Sequence, residues 1–107
     1  MNVQTLTVEA LKQLLDEKRP PVLLDVREAH ERDICVLNDQ KHIPLNALPE
    51  RYQELNPDVP VVVYCRSGMR SLQAAAFLMS KGFKDVKNLT GGILAWAQKI
   101  DPNMPTY

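Results

Sequence analysis

The chain has 107 residues, 45% hydrophobic and 24% charged, with thirteen Lys and Arg against thirteen Asp and Glu. That length holds one domain, residues 1–107, with its own core, since domains cluster near ~100–150 residues. The balanced charge leaves no global field for nucleic acid or an anionic membrane, and no apolar run nears the ~20 residues of a membrane span.

The opening residues Met1 to Thr5 lack the basic and apolar regions of a secretory signal, so the expected location is the cytoplasm. Thr7 reads as a helix N-cap, followed by Val8, Leu11 and Leu15 at helical spacing, and Pro20-Pro21 stop that helix. Val22 to Val26 reads as a buried strand, apolar on both faces until Asp25. Glu28 to Arg32 predicts a helical turn. Lys41-His42-Ile43-Pro44 predicts an extended segment, because the residue before a proline is pushed away from helix. Pro49 opens a short helix at its first position, ending near Leu55 before Pro57.

Val61 to Tyr64 is a second continuous apolar run, short and β-branched, and so a strand. Ser71 reads as the N-cap of a helix whose stripe is Leu72, Ala75, Ala76 and Met79, closed by Gly82. Val86 to Leu89 predicts another strand. Gly91-Gly92 breaks it, Ile93, Trp96, Ala97 and Ile100 give a last helical stripe, and residues 101–107 form a non-helical tail. Strands apolar on both faces, alternating with amphipathic helices, predict an α/β fold with a parallel sheet covered on both sides. Sites in such sheets lie beyond the carboxyl ends of the strands. Two such ends carry polar groups here: Asp25-Val26-Arg27 and Cys65-Arg66.

The second end carries the chemistry. In Cys65-Arg66-Ser67-Gly68-Met69-Arg70-Ser71 a cysteine tips a buried strand and the N-cap reading falls six residues later. The chain between must curl, and Gly68 is free to take positive φ. Successive N–H groups in such a curl converge as an anion nest, and the free amides of the next helix's first turn add to it. That field, with Arg66 and Arg70, is expected to lower the Cys65 thiol pKa and to steady a persulfide anion or an anionic sulfur donor. No histidine base is then required, and neither His30 nor His42 stands in a base position. With no Cys-x-x-Cys pair, Cys35 and Cys65 are expected to be reduced thiols, and two cysteines and two scattered histidines make no zinc site. Neither metal nor cofactor is expected.

Four segments together resemble the rhodanese family: Leu23-Leu24-Asp25-Val26-Arg27-Glu28, His42-Ile43-Pro44-Leu45, the loop Cys65 to Ser71, and Leu89-Thr90-Gly91-Gly92-Ile93-Leu94-Ala95-Trp96. The resemblance implies a central parallel sheet of about five strands flanked by helices on both faces. It implies sulfurtransferase activity: Cys65 as the catalytic nucleophile takes sulfane sulfur from a donor such as thiosulfate and passes it to a thiophilic acceptor. The backbone of Arg66, Ser67, Gly68, Met69 and Arg70 would cradle the persulfide, with Arg70 binding or orienting the anion. Related phosphatases of the cell-cycle type have five residues between cysteine and arginine. This chain has four, a shorter ring that fits sulfur better than a phosphoryl group. Asp33-Ile34-Cys35 and the ending Ile100 to Tyr107 look like the rhodanese domains attached to adenylating enzymes that load sulfur carriers. Lys41-His42-Ile43-Pro44-Leu45-Asn46 departs from the Gly-His-Ile-Pro-Gly-Ala of many members.

Expected partners are a small anionic sulfur donor, a cysteine desulfurase, a sulfur-carrier protein or a thiol acceptor, with no nucleic acid and no membrane. The alternatives are a non-catalytic interaction module, which typically lacks the cysteine, and an oxyanion reductase or phosphatase. Three supporting residues stand close by: Asp25, to orient Arg27 or Arg70 or to serve as a structural cap or ion pair; Arg27, to guide anions or to bridge Glu28 or Glu31; and Ser71. Cys35 reads as a small hydrophobe, His42 as a hydrogen-bonded scaffold residue and Trp96 as core. Met69 reads as an exposed loop tip.

Overall fold

A computed structural model describes residues 2–107. Five strands, β1 (Gln4–Leu6), β2 (Val22–Asp25), β3 (Gln40–His42), β4 (Val61–Tyr64) and β5 (Val86–Leu89), form one sheet in the order β1-β5-β4-β2-β3. All pairings are parallel. Helices α1 (Val8–Asp16), α2 (Ala29–Arg32), α3 (Leu48–Arg51), α4 (Met69–Ser80) and α5 (Gly92–Lys99) connect them, with short 3-10 turns at Leu45–Ala47 and Tyr52–Glu54.

Alternation along the inner strands builds two cores. Leu24, Val26, Val61 and Val63 pack with Leu48 of α3 and Ala74, Ala75 and Leu78 of α4. Leu23, Val62 and Tyr64 pack on the other face with Val8 and Leu11 of α1 and Ile93 and Trp96 of α5. Each fully buried branched side chain contributes roughly 1.5–3 kcal/mol. A one-residue slip of β4 would exchange the two sets, so both cores hold the register Val22↔Val61 through Asp25↔Tyr64. This register sets the ends of β2 and β4 side by side at the centre of the sheet.

The Thr7 hydroxyl caps α1, accepting from the Ala10 amide at 3.1 Å. The helix ends at Asp16, where Lys18 at φ 59° turns the chain ahead of Pro20-Pro21. Two features depart from the sequence reading. Gln4–Leu6, largely polar and exposed, is an edge strand on β5 that its own composition does not signal. Ser71 is not the N-cap of α4: Gly68 is, and Ser71 is fully buried in the first turn. The buried face is therefore Ser71, Ala74, Ala75 and Leu78, while Leu72 is exposed. Small residues on that face let α4 lie close against β4 and β5.

Candidate active site

Cys65 follows β4 directly and is 1% exposed. Its sulfur lies 3.1 Å from the Gly68 amide, 3.4 Å from the Ser71 amide and 3.3 Å from the Ser71 hydroxyl. The curl that brings them there needs Gly68 at φ 112°, a left-handed conformation that a side chain would strain.

Three carbonyls of the loop are held from outside it. Ile93 N–H of α5 holds the Cys65 oxygen at 2.9 Å, Leu94 N–H holds that of Arg66 at 3.0 Å, and the Asn88 side-chain amide holds that of Gly68 at 3.1 Å. In a planar trans peptide the N–H opposes the C=O, so anchoring the Arg66 carbonyl turns the Ser67 amide toward the sulfur. Gly92 makes the close approach possible: a Cβ there would stand 2.5 Å from the oxygens of both Cys65 and Arg66.

Burial pushes the Cys65 thiol up, but the Ser71 hydroxyl and the amides of Ser71, Gly68 and Ser67 together pull it below its ordinary value. Ser71 also donates to Asn88 Oδ1 at 2.5 Å. It has one proton for two acceptors. When Cys65 is a thiol, S–H donates to Oγ and the hydroxyl serves Asn88; when it is a thiolate, the hydroxyl turns to sulfur. Ser71→Ala is expected to move the pH midpoint of iodoacetamide alkylation upward by about one pH unit, with the amides retaining the rest of the effect. An unchanged midpoint would mean that Ser71 does not act on the sulfur.

The remaining loop residues are placed as follows. Ser67 is exposed and contributes its amide; Met69, 71% exposed, begins α4 at the surface. The Arg66 guanidinium lies 5.2 Å over the Tyr107 ring, and both its Nε and Nη2 donate to the Tyr107 main-chain oxygen. Arg70 forks onto Glu31, at 2.7 and 2.8 Å. The leading groups that lower the thiol pKa are neutral amides and a hydroxyl, while Arg70, paired with Glu31, also couples to the Cys65 charge.

Asp25 and Arg27 form an ion pair at 2.8 Å with both side chains fully buried. This corrects the expected bridge from Arg27 to Glu28 or Glu31. Glu28 is instead the N-cap of α2, and Glu31 takes Arg70. Asp25 also accepts from the Arg27 amide at 2.9 Å and the Tyr64 hydroxyl at 3.0 Å, while Arg27 donates to the Cys35 carbonyl and the Tyr107 hydroxyl. Burial works against the charged guanidinium, yet its bonds to Asp25 and Tyr107 hold its pKa above the ordinary value. The pair ties the loop after β2 to the end of β4 and to the C-terminal segment.

His42 Nε2 lies 2.6 Å from the Arg27 carbonyl, a scaffold contact. Cys35 belongs to the α1/α5 core and Cys65 to the α3/α4 core, so the two thiols face different layers. Sequence reasoning missed Asn88, Glu31 and Tyr107. Asn88 had a signal, a polar side chain inside a strand. Glu31 and Tyr107 had none, since their partners lie 39 and 76 residues away. Among the described residues no group of three or more His, Cys, Asp or Glu is placed to hold a metal, and no helix is long and apolar enough to cross a membrane.

A family model described as a rhodanese-like domain matches residues 7–99. A sulfurtransferase of Allochromatium vinosum is 41% identical over 96 residues, covering 90% of this chain and 90% of that protein. The adenylyltransferase and sulfurtransferase MOCS3-2 of Zea mays is 37% identical over 109 residues; the match covers 95% of this chain but 23% of the maize protein's length. Among solved structures, a rhodanese-like domain protein from Staphylococcus aureus superposes with a TM-score of 0.85 at 27% identity, over 98% of this chain and 99% of that one. The human single-domain sulfurtransferase TSTD1 does so with a TM-score of 0.79 at 25% identity, over 92% and 98%. With the family match running from the cap of α1 to the end of α5 and the fold shared end to end, this chain belongs to the rhodanese-like family.

Proposed function

We propose that the chain is a sulfurtransferase that carries sulfane sulfur as a persulfide on Cys65. The observation that carries this reading is the convergence of the Gly68 and Ser71 amides and the Ser71 hydroxyl on one buried sulfur. Donors fixed before reaction stabilise a localised negative charge without reorganising, and the same ring serves a thiolate and then a persulfide anion.

With thiosulfate as donor, the Cys65 thiolate attacks the sulfane sulfur. A new S–S bond forms to Sγ, the S–S bond of thiosulfate breaks, and sulfite leaves with the electron pair. A thiophilic acceptor such as cyanide then attacks the terminal sulfur, the persulfide bond breaks, and the Cys65 thiolate returns. No external oxidant or reductant enters either step. The short interval from Cys65 to Arg70 and the pairing of Arg70 with Glu31 weigh against phosphoryl chemistry, which needs a wider cradle and a free guanidinium. The relatives named as sulfurtransferases support the reading, and a small sulfur anion, a cysteine desulfurase, a sulfur-carrier protein or a thiol acceptor are its proposed partners.

Incubation with thiosulfate is expected to raise the intact mass by one sulfur atom. Peptide mapping is expected to place it on Cys65 and not on Cys35, and cyanide to remove it with release of thiocyanate. A sulfur that maps elsewhere, or none at all from several donors, overturns the proposal.

A further inference from the structure

We propose that Glu31 is a specificity-determining residue: by neutralising Arg70 beside the Cys65 loop, it disfavours sulfur donors that carry two negative charges. The proposal rests on Cys65 being the sulfur-bearing residue and concerns which donors reach it.

Glu31 is 7% exposed and its carboxylate accepts four hydrogen bonds from three residues. Arg70 forks onto both oxygens, at 2.7 and 2.8 Å, the Tyr107 hydroxyl donates to Oε1 at 2.8 Å, and the Glu28 amide donates to Oε2 at 2.8 Å. Anchored from α2 and from the C-terminal segment, the carboxylate does not swing aside to release Arg70 when an anion arrives. Its bonds from Arg70 hold it at about 2, against the cost of burial, so it stays charged throughout the neutral range.

Arg70 directly precedes Ser71, whose amide and hydroxyl meet the Cys65 sulfur, so its charge acts on the thiolate, and its side chain is 35% exposed, at the surface end of the pair. Unpaired, it would attract any anionic donor. Paired, its field is largely cancelled, and the amide ring is left to stabilise one negative charge on one sulfur. A dianion such as thiosulfate then brings a second charge that the loop's Arg70 no longer answers. A monoanionic donor of the same sulfane chemistry loses only half as much, because the Coulomb energy scales with the charge it carries.

The probes are thiosulfate and methanethiosulfonate, which offer the same kind of sulfane sulfur on a dianion and a monoanion. At low ionic strength Glu31→Gln, which keeps an oxygen acceptor, is expected to raise the ratio of kcat/KM for thiosulfate over methanethiosulfonate by roughly fivefold, mostly through KM. Added salt should shrink that gain. Arg70→Gln should lower the ratio, and Glu31→Gln/Arg70→Gln should return it to near the wild-type value, because the pair's net charge is again zero. The double variant and Arg70→Gln carry the test if Glu31→Gln fails to fold, which circular dichroism melts decide. If both donors change by one common factor in all variants, Glu31 has only a structural role and this inference is overturned while the persulfide reading stands. A wild-type protein that takes sulfur from neither donor removes both.

Discussion

Asp25→Ala is expected to cost about 3–5 kcal/mol, a large share of a total stability of order 5–15 kcal/mol. The substitution removes the carboxylate that accepts from the Arg27 amide, Nε and Nη2 and from the Tyr64 hydroxyl. Arg27 is 0% exposed and cannot reach water without opening the core. It keeps the Cys35 carbonyl at 2.7 Å, the Tyr107 hydroxyl at 3.1 Å and the faces of two tyrosine rings, but these are neutral partners for a full charge. The loss is an uncompensated buried charge, larger than any single hydrogen bond among them. Replacing both members, Asp25→Leu with Arg27→Met, is expected to recover much of the stability, because no charge is then left without its partner. Urea unfolding followed by Trp96 fluorescence measures both. A loss below about 1 kcal/mol in Asp25→Ala would show that water or another group replaces the carboxylate.

Gly92→Ala is expected to cost roughly 2–5 kcal/mol and to abolish rapid thiol alkylation near neutral pH. The residue sits at φ 61°, and the added methyl would stand 2.5 Å from the Cys65 and Arg66 oxygens. Those oxygens are backbone, held by Ile93 and Leu94 of α5, so they cannot yield as a flexible side chain would. Relief requires α5 to withdraw from the loop. The Cys65 and Arg66 carbonyls are then released, and the loop that presents its amides to the sulfur loses its support on α5. Gly68→Ala is the control: its added methyl has no neighbour nearer than 3.7 Å, so it carries the strain of φ 112° alone, of order 1–3 kcal/mol. The urea midpoint and the pH profile of alkylation, measured on both variants, separate steric clash from backbone strain. Equal losses in the two would overturn the steric account.

What neighbouring residues dictate to one another is legible in the sequence. Val22–Asp25 and Val61–Tyr64 are strands because continuous branched apolar runs are buried on both sides, and Thr7 caps α1 because its hydroxyl reaches an amide three residues on. The Cys65 loop was legible for the same reason: cysteine, glycine and the following helix lie within a few residues of one another. The α4 stripe was misread by a small rotation, because Ser71 looked like a cap. Gly68 had already filled that role, and the buried hydroxyl serves sulfur and Asn88.

The pairings that tune the site were decided by the tertiary structure alone. Arg70 meets Glu31 across 39 residues, and Tyr107 comes back to Arg66 and Glu31. Charge partners separated by dozens of residues leave no period or spacing to read. Which carboxylate a guanidinium finds depends on strand order and on which buried group would otherwise stand unpaired. By itself the sequence determined the layers and the Cys65 loop, because hydrophobic periodicity and turn chemistry act over a few residues. Only the packed sheet decided the electrostatics around Cys65, because long-range contacts alone place those charges.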